Sequence, residues 1–329
     1  MTQAANQLLK QGIIHYQTNA FEEALQSWQQ ALNLYRIDRD LQREGAALGN
    51  LGAAYQALGN LPEAIACFEQ HLGLAQRIGD RQGRINALLN LRNAYLALDD
   101  ATKASEYHQQ QLALAQEILT SSTADNFTKV ATMLGLNPIE DFAGVNLSGA
   151  NLSNTNLKAA NLQGATLSCC NLSYANLNSA NLAHAILNNA DLKLADLSRA
   201  NLSSACLADA NLSNANLRDA NLQGADLQNA DLRCLMPRAN FTEAILTSAN
   251  LCSAYLQSAN LRGANLTDAL LQQADLNGAD LSHANLSNAD LTRVELNDVK
   301  VENTQMHNAK GLSTEMKRYL LERGAIADD

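Results

Sequence analysis

Residues 208–232 read ADANLSNANLRDANLQGADLQNADL, and the same five-residue phrase runs through 141–310. Each unit is Ala, then Asn or Asp, then a central Leu, then two polar or small residues. A period of five excludes the two common answers. On a helix, five residues advance the chain by about 500°, so successive leucines would spiral over every side. On a flat strand, an odd period sends them to alternate faces. Within one unit, however, the Ala and the Leu are two apart and share one side of an extended segment. All of them point inward only if the chain turns a corner after each unit.

The outward positions predict how many corners close a coil. Gly144, Gly164, Gly224 and Gly263 share one register, as do Asn189, Asp209, Asn229, Asp268 and Asn288. These spacings are multiples of twenty once a single one-residue slip is allowed, which predicts four sides. The slip follows Leu232, where Arg233-Cys-Leu-Met-Pro-Arg-Ala-Asn-Phe241 brings the next in-phase residue one position early. One four-residue unit over 230–233 restores the phase, with Cys234 and Met236 inward and Leu235 and Pro237 outside. An exposed Leu beside a Pro is a candidate contact point; the alternative is a deletion repaired by a tight corner.

The A-[DN]-L-x-x phrase resembles the pentapeptide-repeat family over about 170 residues, which implies a right-handed quadrilateral β-helix of about eight coils. One coil alone buries too little to offset its ordering entropy, so stacking and end caps are expected. A short helix is predicted over 125–134, before Gly135 and Pro138, and a second over 311–325. Ser313 or Thr314 would cap the second, with Met316, Tyr319 and Leu320 on one face.

Residues 8–32, 48–72 and 88–112 align at a spacing of forty. Leu8/Leu48/Leu88, Gly12/Gly52, Tyr55/Tyr95, Ala24/Ala64/Ala104 and Trp28/Phe68/His108 recur in step, with apolar residues in the i, i+3, i+4, i+7 pattern of amphipathic helices. Asn60-Leu61-Pro62 and Asp99-Asp100 break each unit into a helical hairpin. The segment resembles the tetratricopeptide repeat in a lengthened form, weakening where Arg92 replaces the glycine and His108 the aromatic. The resemblance implies a concave groove that holds an extended peptide. Asn50 and Asn90 take equivalent groove positions, and Asn86 and Asn93 lie on nearby turns. A side-chain amide donates and accepts, which suits gripping a peptide backbone. Lys10 stands where the first repeat would place its Asn.

The expected fold is therefore an α + β multidomain chain. Tetratricopeptide-like repeats form an α-solenoid over 1–120, followed by a linker and capping helix over 121–140, the β-helix over 141–310, and a capping helix and tail over 311–329.

Little in the sequence carries chemistry. The net charge is -10, which argues against non-specific nucleic-acid binding and against anionic membrane surfaces. The N-terminus lacks the plan of a signal peptide, no apolar run spans a membrane, and six Cys show no C-x-x-C; these features predict a cytoplasmic protein. The six His are scattered: His184 and His283 share a column but sit five coils apart. Cys169 and Cys170 alternate outward and inward. The Asp residues ahead of the central Leu (191, 196, 226, 231, 275, 280, 290) fall on all four walls and do not converge. No catalytic, cofactor-binding or metal-binding residue is expected.

The expectation is a non-catalytic protein–protein interaction scaffold with an unidentified protein or peptide partner. The resemblance implies an alternative. Some pentapeptide proteins resemble duplex DNA and bind DNA gyrase, and such members usually dimerise through a C-terminal helix, which 313–323 could supply. That mimicry needs a continuous acidic stripe, and Arg199, Arg218, Arg238 and Arg262 interrupt it here. Long pentapeptide chains joined to helical repeats are most often met in cyanobacteria, so the resemblance also points to that source.

Overall fold

The structure is a computed structural model that describes residues 2–121 and 127–327. The chain divides into two compact units, one holding residues 1–115 and 133–135 and the other 116–132 and 136–329.

The first unit is built of hairpins. Helices α1 (Thr2–Gln17), α2 (Phe21–Asp38), α3 (Leu41–Ala57), α4 (Leu61–Ile78), α5 (Arg81–Ala97) and α6 (Ala101–Ser121, of which 101–115 belong to this unit) follow one another with short turns. The forty-residue period extends to the turns. Asn19, Gly59 and Asp99 sit at φ 61°, 76° and 59°, and Arg39 and Gly79 at 54° and 68°. Asp40 and Asp80 cap α3 and α5 by accepting from the Arg43 and Gly83 N–H groups, a bond whose loss typically costs about 1 kcal/mol.

The glycines are required by the hairpin packing. A Cβ at Gly12 would lie 2.3 Å from the Trp28 ring, and one at Gly52 2.4 Å from Phe68. Trp28 and Phe68 are buried, and the Trp28 indole donates to the Leu9 carbonyl at 3.1 Å. The third repeat departs from this plan for a visible reason. Arg92, in the glycine position, donates to the Gly135 carbonyl at 3.4 Å, and the fully buried Gln111 amide donates to the Leu134 carbonyl at 3.1 Å. Polar side chains thus serve the carbonyls that a helix leaves without partners at its C-terminal end. The first repeat is adapted differently. Where the second and third carry buried Ala47/Leu51 and Ala87/Leu91, α1 exposes Gln7 and Gln11, the polar edge that a solenoid needs.

The second unit is a four-sided coil. Parallel bridges join Asn146 to Thr166, Asn151 to Asn171, Asn156 to Asn176 and Asn161 to Asn181, and the same twenty-residue step continues along four columns. The first wall carries Asn146, the second Asn151, the third Asn156 and the fourth Asn161. At most corners the Ala N–H donates back to the preceding Leu carbonyl, as in Ala205 to Leu202 at 3.0 Å. The residue just before that Ala takes positive φ, from Asn154 at 55° to Asn308 at 56°. Gly, Asn and Asp are frequent at this position because they tolerate the left-handed region best, and Ser is common there too.

Inside, the leucines stack. Bridges Asn201 to Asn221, Asn221 to Asn240 and Asn240 to Asn260 place Leu202, Leu222, Phe241 and Leu261 in one file, each fully buried. The inward exceptions are small or satisfied: Thr304 donates to the Leu281 carbonyl at 2.8 Å, and the Cys170 thiol to the Leu147 carbonyl at 2.8 Å.

Both ends carry helices. The first, α7 (Phe127–Leu134), sets Phe127 against Phe142 with ring centroids 4.7 Å apart; residues 125 and 126 of the expected helix lie outside the described residues. The second, α8 (Thr314–Leu321), is shorter than 311–325. Ser313 caps it by accepting from the Met316 N–H, and Leu320 is buried. After α8 the chain returns to the coil and Ile326 bridges Gln305, a return that the sequence pattern does not foretell.

Candidate interaction surfaces

No described helix is long and apolar enough to cross a membrane. No group of three or more His, Cys, Asp or Glu among the described residues could hold a metal ion. The polar chemistry of the molecule is spread along two kinds of repeated surface.

On the hairpins, α3 and α5 place Asn50 and Asn90 one repeat apart, both half-buried, with Asn86 and Asn93 exposed on α5. Asn86 accepts from the Gln82 amide at 2.9 Å. Nearby, Tyr95 and Tyr107 stack with centroids 5.5 Å apart, and both hydroxyls donate to Glu69. Burial and that carboxylate push the Tyr107 phenol up to about 12. His71 is buried against Gly45 and Gly49, and burial holds its imidazole below the usual value.

On the coil, the outward residues differ from wall to wall. The fourth wall is an asparagine ladder. Asn181, Asn201, Asn221 and Asn240 each donate an amide to the Asn one coil back, at 2.9–3.3 Å. From residue 161 to 247 the fourth and first walls, with the corner that follows each, carry only Asp209, Asp226 and Glu243 as charged residues. The second and third walls hold Asp191, Lys193, Asp196, Arg199, Arg218, Asp219, Asp231, Arg233 and Arg238 over the same coils. There the signs alternate and pair. Arg238 forms a two-pronged ion pair with Asp219 at 2.7 and 2.8 Å, and Arg233 does the same with Asp231 at 2.8 and 2.6 Å. The Arg238 hydrogen bond holds the Asp219 carboxyl below the usual range.

The slip lies on these charged walls. Bridges Asn216 to Leu235 and Asn221 to Asn240 step by nineteen residues instead of twenty. Cys234 closes the short unit by donating its N–H to the Leu232 carbonyl at 2.7 Å, a three-residue turn. Cys234 and Met236 are buried, Leu235 is 45% exposed and Pro237 half-buried. Leu235 bridges Tyr255, itself 50% exposed, so the third wall carries two apolar side chains in file where Asn156, Asn176 and Asn216 stand elsewhere.

His184 and His283 do share one corner column, five coils apart. Cys169 is exposed and Cys170 buried.

A family model of pentapeptide repeats matches residues 141–233 in overlapping segments and 236–310 in two adjoining ones, and a tetratricopeptide-repeat model matches 43–117. Among solved structures the chain is similar to HetL, a pentapeptide repeat protein involved in heterocyst differentiation regulation in the cyanobacterium Nostoc. The two are 34% identical over 50% of this chain and 84% of HetL, with a TM-score of 0.32. It is also similar to QnrB1, a plasmid-mediated fluoroquinolone resistance protein, at 21% identity over 57% of this chain and 93% of that one, TM-score 0.32. The tetratricopeptide domain of Arabidopsis FLU is 26% identical over 35% of this chain and 98% of that domain, TM-score 0.34. No relative is found among the curated proteins. The twenty-residue coil, its Leu file and the two family models lead to one assignment: the chain belongs to the pentapeptide-repeat family and carries a tetratricopeptide-repeat region ahead of its coil.

Proposed function

We propose that the chain is a non-catalytic protein–protein interaction scaffold. Residues 1–120 grip an extended segment of a partner protein, and the coil over 141–310 is a stiff spacer with a second contact surface. Residues 121–140 link the two and cap the coil, and 311–329 close its far end. The observation that carries this reading is the pair Asn50 and Asn90. They stand one repeat apart on α3 and α5, and neither side chain makes a hydrogen bond among the described residues. Both amides are therefore available to a peptide backbone, each offering a donor and an acceptor.

A gyrase-directed DNA mimic would need a continuous acidic stripe. The Arg233–Asp231 and Arg238–Asp219 pairs neutralise acids in the middle of the coil, and Arg293 and Lys300 stand among the acids of residues 268–302, so the charge pattern favours the scaffold.

The test is a double substitution, Asn50→Ala with Asn90→Ala. A partner identified by pull-down and mass spectrometry should bind the variant about tenfold more weakly, because two amide contacts are lost. The melting curve should not move. Unchanged affinity would remove the groove reading.

A further inference from the structure

The four-residue unit does more than shift the register: it deletes one corner residue. Along the corner between the second and third walls the outward column runs Tyr174, Leu194, Asn214, then a gap, then Ser253 and Gln273. The gap is a notch of about 520 Å3, floored by Cys234 and walled by Leu235 and Tyr255 on one side and Cys252 and Arg233 on the other.

The deletion also removes a hydrogen-bond donor. In the neighbouring coils each corner N–H donates to a carbonyl one coil on: Asn214 to Arg233 at 3.0 Å, Arg238 to Gln257 at 3.0 Å, and Ser253 to Gln272 at 2.8 Å. The Cys252 carbonyl is the one whose donor would be the missing corner residue. No hydrogen bond among the described residues reaches it. The Cys234 N–H, next in the chain after the short unit, is turned back to Leu232. The guanidinium beside it is held by Asp231 in two hydrogen bonds, so the notch offers no open cation to an anionic group. What remains is an apolar wall, a lone acceptor and room for one large side chain.

We infer that this notch is a docking site for a tryptophan side chain of a partner protein. An indole has a flat apolar body for Leu235 and Tyr255 and a single N–H for the Cys252 carbonyl, and Trp is among the residues that most often anchor interfaces. Beyond Asn214, Leu194 and Tyr174, 40% and 58% exposed, add apolar surface along the same corner. Both sit in the left-handed region, at φ 60° and 58°, where bulky side chains are disfavoured. The inference deepens the scaffold reading but uses a different face, so its failure would leave the Asn50/Asn90 test untouched.

The experiment is an NMR titration of the full chain with N-acetyl-tryptophanamide as probe. Saturable shifts are expected at Leu235, Cys252 and Tyr255, with a dissociation constant of about a millimolar. The 1-methylindole analogue, which has no N–H, should bind about three- to tenfold more weakly. Inserting an Asn between Arg233 and Cys234 restores a twenty-residue coil, fills the gap and supplies the missing N–H; it should abolish the shifts. Should the insertion disturb folding, Leu235→Asn with Tyr255→Asn, the residue type found elsewhere in that column, should do the same. Shifts that are absent, not saturable, or unchanged in the variants would overturn the inference, as would equal binding of the methylated analogue. Dimer formation through the same corner, seen as shifts that depend on protein concentration and vanish on insertion, would assign the notch to a second copy and overturn it too.

Discussion

The hairpins and the coil solve one packing problem at two scales. Each sets a small residue beside a large one and repeats the pair. In the hairpins the pair is Gly12 with Trp28 and Gly52 with Phe68, one contact per forty residues. In the coil it is Ala with Leu, once in every five. The longer unit tolerates revision. The third repeat replaces glycine with Arg92 and the aromatic with His108, and its fold persists because Gln111 and Arg92 find carbonyls to serve. The shorter unit is far stricter inside, and its few inward polar groups also bond to carbonyls. Outside, the order reverses: the coil admits almost any residue on its walls. Redundancy explains both. Each coil is held by its neighbours above and below, so one wrong inward side chain spoils two interfaces, while an outward one spoils none.

The comparison breaks most readily at the coil centre. Leu222→Ala leaves a cavity between Leu202 and Phe241, all fully buried. It should cost about 2–5 kcal/mol, read as a lower urea midpoint for the coil transition with the helical transition unmoved. A cost below about 1 kcal/mol would mean that the files relax independently and that the strictness argued above is wrong.

A smaller effect is expected in the hairpins. Gly52→Ala places a methyl 2.4 Å from the Phe68 ring position, and that ring is fully buried. Overpacking should cost about 1–3 kcal/mol, seen in the helical transition of a thermal melt followed by circular dichroism. Equal stability would show that the hairpins adjust where the coil cannot.

The smallest effect is one of pH. Burial lowers the His71 pKa in the folded hairpins, with the Asp80 carboxylate opposing it. The unfolded chain then binds the proton more readily. Stability from this group is complete above the ordinary histidine value and is lost as pH falls below it. The helical melting temperature should drop between about pH 7 and pH 5, and His71→Gln should flatten that slope. A slope unchanged by the substitution would remove His71 as its source.

Much of this was legible in the sequence because the coil writes its geometry into a period. The Leu file and the slip at 230–233 follow from counting inward residues, and the four walls from the register of the outward ones. Sorting outward residues by twenties would also have exposed the charge-poor fourth and first walls. Other features are long-range and leave no periodic trace. Arg92 and Gln111 look like defects until the Leu134 and Gly135 carbonyls arrive beside them. The return of Ile326 to Gln305 rests on one bridge beyond a helix. The bare Cys252 carbonyl belongs to the backbone, so no side-chain pattern announces it. The asparagines proposed to grip a peptide lie between these cases. Asn50 and Asn90 could be picked from their spacing, whereas the tie between Asn86 and Gln82 needed coordinates.

A four-cornered winding also has a consequence for how such a chain can grow. Adding twenty residues would raise everything downstream by one storey and leave every wall facing as before. Adding a single five-residue phrase would instead rotate all later storeys by a quarter turn, carrying the asparagine ladder round to the charged side. Losing one residue at the corner, as this chain has, does neither: later columns stay plumb with earlier ones, and a dent is cut without swinging the rest of the tower.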